Sequence, residues 1–253
     1  MNWRRQLVSL VLPIVATAQN NSRAVPECAS CHSQAKSQPG TSMAHALESV
    51  AECKVLIDHP VLTTNQGPYS YRIERTGNQS LYSVSDGAHQ LNMSVKWAMG
   101  ASSAIGQTYI LEKDGALYES RVSYFSELNG LASTLGSQNS TPRNLSEAAG
   151  RLMGLEDKLR CFGCHATNAT SGRQLTLERM LPGLRCDRCH QSSAAHLAEA
   201  LLGNFTGTAA AKPEGSTARS AEEISNFCGQ CHRTWEEIAL LGRLDITDRK
   251  SVV

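Results

Sequence analysis

The amino-acid sequence predicts an α+β fold, mostly helix and loop wrapped around four covalently bound groups, with one inserted antiparallel β meander. Three observations predict it. The pattern Cys-x-x-Cys-His occurs four times, at 28–32, 161–165, 186–190 and 228–232. Residues 69–125 hold none of these motifs and alternate apolar with polar side chains between turn dipeptides. Beyond residue 143 the apolar spacing changes to that of a helix.

Two thiols can add across the vinyl groups of a porphyrin while the adjacent imidazole binds its iron, so each motif has what covalent c-type haem attachment requires. Zinc knuckles, redox dithiols and disulfides also use Cys-x-x-Cys. Zinc sites pair two such units, but they need no His directly after the second Cys in every one. The expectation is four covalently attached haem c groups. They are held by Cys28, Cys31 and His32, by Cys161, Cys164 and His165, by Cys186, Cys189 and His190, and by Cys228, Cys231 and His232.

The organisation follows in four stretches. Arg4 and Arg5 precede an apolar run from Leu7 to Val15, and Ala16-Thr17-Ala18 is a small-residue cleavage signal, so residues 1–18 read as a signal peptide. The run is too short to span a bilayer. Export suits the motifs, because covalent haem attachment takes place outside the cytoplasm. Residues 19–66 form a first haem segment, in which His45 opens a helix-prone stretch and His59, before Pro60, sits on extended chain.

Residues 67–130 are the β-rich stretch. Tyr69–Ile73 and Leu81–Val84 flank Gly77-Asn78, Leu91 to Trp97 alternate, and Gln107–Leu111 and Leu117–Tyr124 flank Asp114-Gly115, giving about five strands. This block reads as a scaffold packed on the first haem or as a docking surface for a partner. Residues 131–253 carry the other three haems. A Ser-, Thr-, Asn- and Gly-rich linker to Thr141-Pro142 leads into one helix with Leu145, Ala148, Ala149, Leu152, Leu155 and Leu159 on a face and Ser146 as its cap. Leu181-Pro182-Gly183 and the loop Thr206 to Ser220 separate the later motifs, and a helix around Trp235 to Leu241 ends the chain.

Eight His are present, four in the motifs, leaving His45, His59, His89 and His196 as one spare imidazole for each iron. Haem iron held by His on one side is commonly completed by His or Met on the other. The metal ligands expected are therefore His32, His165, His190 and His232, with His196, His45, His59 and His89 opposite them. Met43, Met93, Met99, Met153 and Met180 are the substitutes. Nine Cys less eight in the motifs leaves Cys53, which reads as a small buried residue.

Aromatic content is 5% and hydrophobic content 41%, so few large side chains are available for a core and porphyrins would supply the bulk. The formal charge is +1, and loss of Arg4 and Arg5 together with haem propionates makes the mature protein acidic. That argues against nucleic acid as a partner.

Three stretches carry a family resemblance: Cys161-Phe-Gly-Cys164-His165-Ala-Thr, Leu181-Pro-Gly-Leu-Arg-Cys186-Asp-Arg-Cys189-His190 with His196 after it, and Cys228-Gly-Gln-Cys231-His232-Arg-Thr-Trp235. They resemble the exported multihaem cytochrome c family with paired motifs, and distantly the hydroxylamine oxidoreductase group and its small tetrahaem electron-transfer relatives. The resemblance spans residues 28 to about 243. It implies that a His placed as His196 is binds the iron of a haem other than the one at His190. Similar chains continue with further motifs after the Trp235-Glu-Glu segment, so a shortened form is expected.

Three functions remain open. The preferred one is a periplasmic or extracellular electron carrier with closely packed, mainly bis-His haems. Its partners would be redox proteins, a membrane quinol-oxidising complex or other cytochromes. The second is an enzyme that reduces or oxidises a small nitrogen compound or peroxide at one five-coordinate haem. No Cys-x-x-Cys-Lys site accompanies it. The third is a subunit of a cytochrome filament that lends a distal His to its neighbour.

Overall fold

A computed structural model describes residues 24–101, 106–190, 193–202, 220–232, 239–240 and 243–244. The expected signal peptide and nearly all of the loop from Thr206 to Ser220 lie outside the described residues, as does Trp235.

Nine strands form one antiparallel sheet: β1 (Leu47–Ser49), β2 (Val61–Gln66), β3 (Tyr69–Thr76), β4 (Gln79–Ser85), β5 (Gln90–Met99), β6 (Gly106–Lys113), β7 (Ala116–Phe125), β8 (Gly130–Ser133) and β9 (Gly150–Leu152). Strands β2 to β8 lie side by side in chain order, while β1 adds to β5 and β9 to β7. Asp114 and Gly115 both take positive φ, at 50° and 77°, which a two-residue hairpin between right-twisted strands requires. Bulges at Val95/Trp97 and Thr108/Ile110 bend the central strands. The sheet curls until Ser133 Oγ on β8 donates to Gln66 Oε1 on β2 at 3.0 Å.

A nearly closed sheet therefore dominates, and the expected helix-and-loop fold around haems is corrected. The physical reason lies in the strands outside 69–125. Val61–Gln66 is largely polar, Gly130–Ser133 lies in what reads as a linker, and Leu47–Ser49 lies in what reads as a helix. Val61–Gln66 and Gly130–Ser133 become strands by adding to the neighbouring hairpin strands β3 and β7, and Leu47–Ser49 by pairing with distant β5; in each the partner satisfies the backbone, which local composition does not report.

The helices are α1 (Ala24–Cys31), α2 (Gln34–Ser37), α3 (Lys54–Asp58), α4 (Leu145–Ala149), α5 (Leu155–His165), α6 (Cys186–Cys189), α7 (Ser193–Leu201) and α8 (Ala221–His232). The single helix expected from 145 onward is broken. Asn144, not Ser146, caps α4 by accepting from the Glu147 amide. Gly150 then turns the chain onto β7, where a Cβ would strike the Glu119 carbonyl, and Gly154 precedes α5. Residues 42–46 form turns rather than a helix, because the next three residues pair with Trp97, Ala98 and Met99. The expected linker is fixed too: Arg121 donates to the Ser137 carbonyl at 3.1 Å and to Ser140 Oγ at 3.2 Å.

Short hairpins complete the chain. Here β10 (Ala166–Thr167) pairs with β13 (Leu181–Pro182), β11 (Thr170–Ser171) with β12 (Gln174–Leu175), and β14 (Ala239–Leu240) with β15 (Arg243–Leu244). The last replaces part of the expected C-terminal helix.

Two cores lie on opposite faces of the sheet. Tyr71, Ile73, Tyr82, Val84, Tyr109 and Leu111 fill the inside of the curl. Ile110, between Tyr109 and Leu111, points the other way and packs with Leu47, Leu117, Met153 and Phe162. Strand alternation thus gives the sheet a second apolar face. That face lies against the second Cys-x-x-Cys-His motif. Met93 and Met153 are core residues.

Candidate haem-binding site

Helix α5 carries the second motif, and Phe162 inside it is fully buried with Trp97 of β5 edge-on at 5.3 Å. The helix is fixed at its start by Arg151, which bridges Glu119 at 2.9 Å and Asp157. At its end His165 Nδ1 donates to the Ala46 carbonyl at 2.9 Å. A carbonyl accepts only, so this bond fixes the tautomer and leaves the Nε2 lone pair as the one that could bind an iron. Ala46 is itself fixed on the sheet, its carbonyl also accepting from the Gly100 amide at 2.8 Å.

The third motif is held by the residues before it. Thr167 Oγ1 donates to the Gly183 carbonyl at 3.0 Å and accepts from the Arg185 amide at 2.8 Å. The Leu184 amide donates to the Met43 carbonyl at 2.9 Å, and the Gln38 side chain donates to the Leu184 carbonyl. Gly183 lies so close to the Ala44 carbonyl that no Cβ fits, at φ +73°. The segment 38–44 is thereby tied to the base of α6.

The four motifs meet. Cys28 lies in hydrogen-bonding reach of Cys186; burial, then this neighbour, pushes its thiol up. Cys164 lies in hydrogen-bonding reach of Cys231, which raises the first thiol and lowers the second, and Cys164 Sγ also lies 3.9 Å from the Gln230 carbonyl. Arg188, within the third motif, donates to the Gly163 carbonyl of the second at 3.1 Å and reaches Cys231 Sγ of the fourth at 4.0 Å. Burial raises the Cys189 thiol, with Arg188 and then the Cys228 and Cys231 thiols acting on it. The first motif thus faces the third, and the second faces the fourth.

The spare histidines divide. His196, on α7, lies with its ring centroid 6.1 Å from that of His32 and tilted by 37°. His45 is exposed and bonded at both nitrogens, Nδ1 to Glu48 Oε1 at 3.0 Å and Nε2 to the Pro39 carbonyl at 2.9 Å. His59 caps the end of α3, stacks on Tyr124 at 5.4 Å and donates Nε2–H to its hydroxyl at 3.3 Å. His89 projects from the β4–β5 turn, 78% exposed, beside Asp86.

Cys53 is fully buried, and its thiol donates to Gln107 Oε1 at 3.2 Å. Gln107 Nε2 donates in turn to Glu48 Oε2 at 3.1 Å and to the Gly100 carbonyl at 2.8 Å. This polar row, absent from the sequence reading, joins the inner core to His45. Its only sequence signal is a Gln inside an apolar strand.

The donor set fits haem c. Every motif supplies two thiols and an imidazole on one short segment. The His32–His196 separation also fits: a metal–nitrogen bond of about 2 Å on each side, plus roughly 1 Å from nitrogen to ring centre, sets two imidazoles about 6 Å apart across one ion.

No curated protein and no solved structure matches this chain. The model of the family described as cytochrome c554 and c-prime matches residues 126–191, from the end of β7 through the second and third motifs. That match supports a c-type cytochrome family for this chain, and with it covalently bound haem c and electron transfer.

Proposed function

We propose that this chain is an exported tetrahaem c-type cytochrome that carries single electrons through closely packed haems in the periplasm or outside the cell. The observation that carries the reading is the convergence of all four motifs, with Cys28 beside Cys186 and Cys164 beside Cys231. Haem c supplies a one-electron iron couple when bound.

The chain's own residues set the conditions for that couple. Four motifs within side-chain contact leave little distance between neighbouring cofactors. His165 is oriented by Ala46, and Phe162 is locked in the core, so the second site is held rigidly against the sheet. Arg188 ties three motifs together and places a positive charge among them. Redox proteins remain the partner class, whether a membrane quinol-oxidising complex or other cytochromes.

A specific observation favours the second reading, an enzyme with one open iron. His45 and His59 are held by Glu48 and Tyr124, so their imidazoles are engaged by the protein, while His89 lies exposed beside Asp86. Haem stoichiometry by pyridine haemochrome, with ferric electron paramagnetic resonance on the exported protein, separates the two. Four covalent haems, all low spin, support the carrier. A stoichiometric high-spin haem moves the reading to the enzyme, and fewer than four haems overturn the tetrahaem reading.

A further inference from the structure

We infer that His196 completes the iron site of the first motif, so that one haem is ligated by His32 on one face and by His196, from the segment after the third motif, on the other. The inference rests on the tetrahaem reading and deepens it. The two imidazoles are 164 positions apart in the chain, yet their ring centroids lie 6.1 Å apart, the separation that one metal ion between two imidazoles demands.

The surrounding contacts bring these rings together independently. Cys28, which opens the first motif, lies against Cys186, which opens the third. Leu184 is bonded to Met43, and Gln38 to Leu184, so the chain leaving the first motif is fastened to the chain entering the third. Helix α7 begins three residues after His190, and His196 falls within its first turns. His190 itself caps α6, its amide donating to the Cys186 carbonyl at 2.8 Å. The ring of His196 is thus recorded against the first motif's imidazole. Supplying a ligand across motifs also gives the first segment a covalent anchor to the rest of the protein, through protein–iron bonds rather than apolar burial.

The test uses the full exported, haem-loaded protein in three forms: His196→Ala, Cys28→Ser with Cys31→Ser, and all three changes together. His196→Ala should keep the haem count and convert one low-spin ferric haem to high spin. The double serine variant should lose one haem per chain by pyridine haemochrome. In that background, adding His196→Ala should produce no further high-spin signal, because the iron it served is gone. Added imidazole should return the His196→Ala protein to low spin, and His196→Met should keep it low spin with a changed spectrum. An unchanged spectrum in His196→Ala overturns the inference, and so does a high-spin signal that persists in the triple variant, since His196 would then serve another iron. A wild-type count below four haems fails the tetrahaem reading separately. If His196→Ala does not accumulate, the methionine variant decides: an unaltered low-spin spectrum in that protein overturns the inference.

Discussion

Phe162 of the second motif meets Trp97 of β5 edge-to-face, with ring centroids 5.3 Å apart and planes at 79°. This pair joins the haem-binding half of the chain to the sheet, because Phe162 is fully buried between α5 and the outward-facing residues Leu47 and Ile110. Phe162→Ala should cost about 3–5 kcal/mol and lower haem loading at the second motif. Chemical denaturation with intact mass measurement checks both.

Gly183 is the joint between the first and third motifs. Its positive φ costs any other residue about 1–2 kcal/mol, and a Cβ would overlap the Ala44 carbonyl. Gly183→Ala should therefore destabilise by more than the conformational cost alone and loosen the third motif. The expected result is a lower unfolding midpoint and incomplete haem attachment at Cys186 and Cys189, read by peptide mass mapping.

Arg188 touches the second and fourth motifs through Gly163 and Cys231. Hydrogen bonds to a charged group contribute about 1.5–3 kcal/mol when shielded, and partial exposure reduces this. Arg188→Ala should lose about 1–2 kcal/mol while keeping every haem attached. Thermal unfolding followed at the haem absorption band tests it, and unchanged stability would remove Arg188 from the joint.

Cys53 is the one cysteine outside the motifs. Burial pushes its thiol up to about 12 from 9.0, and burial also raises Tyr82 and Tyr109. A raised folded-state pKa means that the unfolded chain loses its proton first as pH rises. Stability from this thiol is then complete below pH 9 and is lost on the way to about 12. Urea midpoints should hold to about pH 9 and fall above it, less steeply in Cys53→Ala. In fully loaded protein, thiol reagents should find nothing when it is native and one equivalent when it is denatured.

His89 sits exposed in a turn where Asp86 accepts from the Ala88 and His89 amides at 2.9 and 2.7 Å. Those bonds belong to the backbone and survive truncation of the ring. His89→Ala should leave haem count, ferric spin state and stability within experimental error of the parent. A new high-spin signal in that variant would identify His89 as an iron ligand.

The strands from Tyr69 to Phe125 were legible because alternation and turn dipeptides are local signals, and the residues that make each hairpin lie close in the chain. The four motifs were legible for the same reason, each needing only five consecutive residues. His196 was legible as a spare imidazole, but nothing local ties it to His32. The break at Gly150 and the fixed segment 134–140 were missed because contacts with Glu119 and Arg121 decide them, whereas the cap at Asn144 is a local bond to the Glu147 amide that the Asn itself signals.

The sequence by itself set the expectation of covalent haem attachment, since thiols, imidazole and their spacing are covalent facts of the chain. Tertiary structure alone decided that the sheet curls until β8 meets β2, that it backs the second motif, and which motifs and histidines face one another. The reason is range. Ala46 with His165, Ala44 with Gly183 and His32 with His196 are each separated by more than a hundred residues, and such contacts follow from the packing of the whole chain rather than from any local pattern.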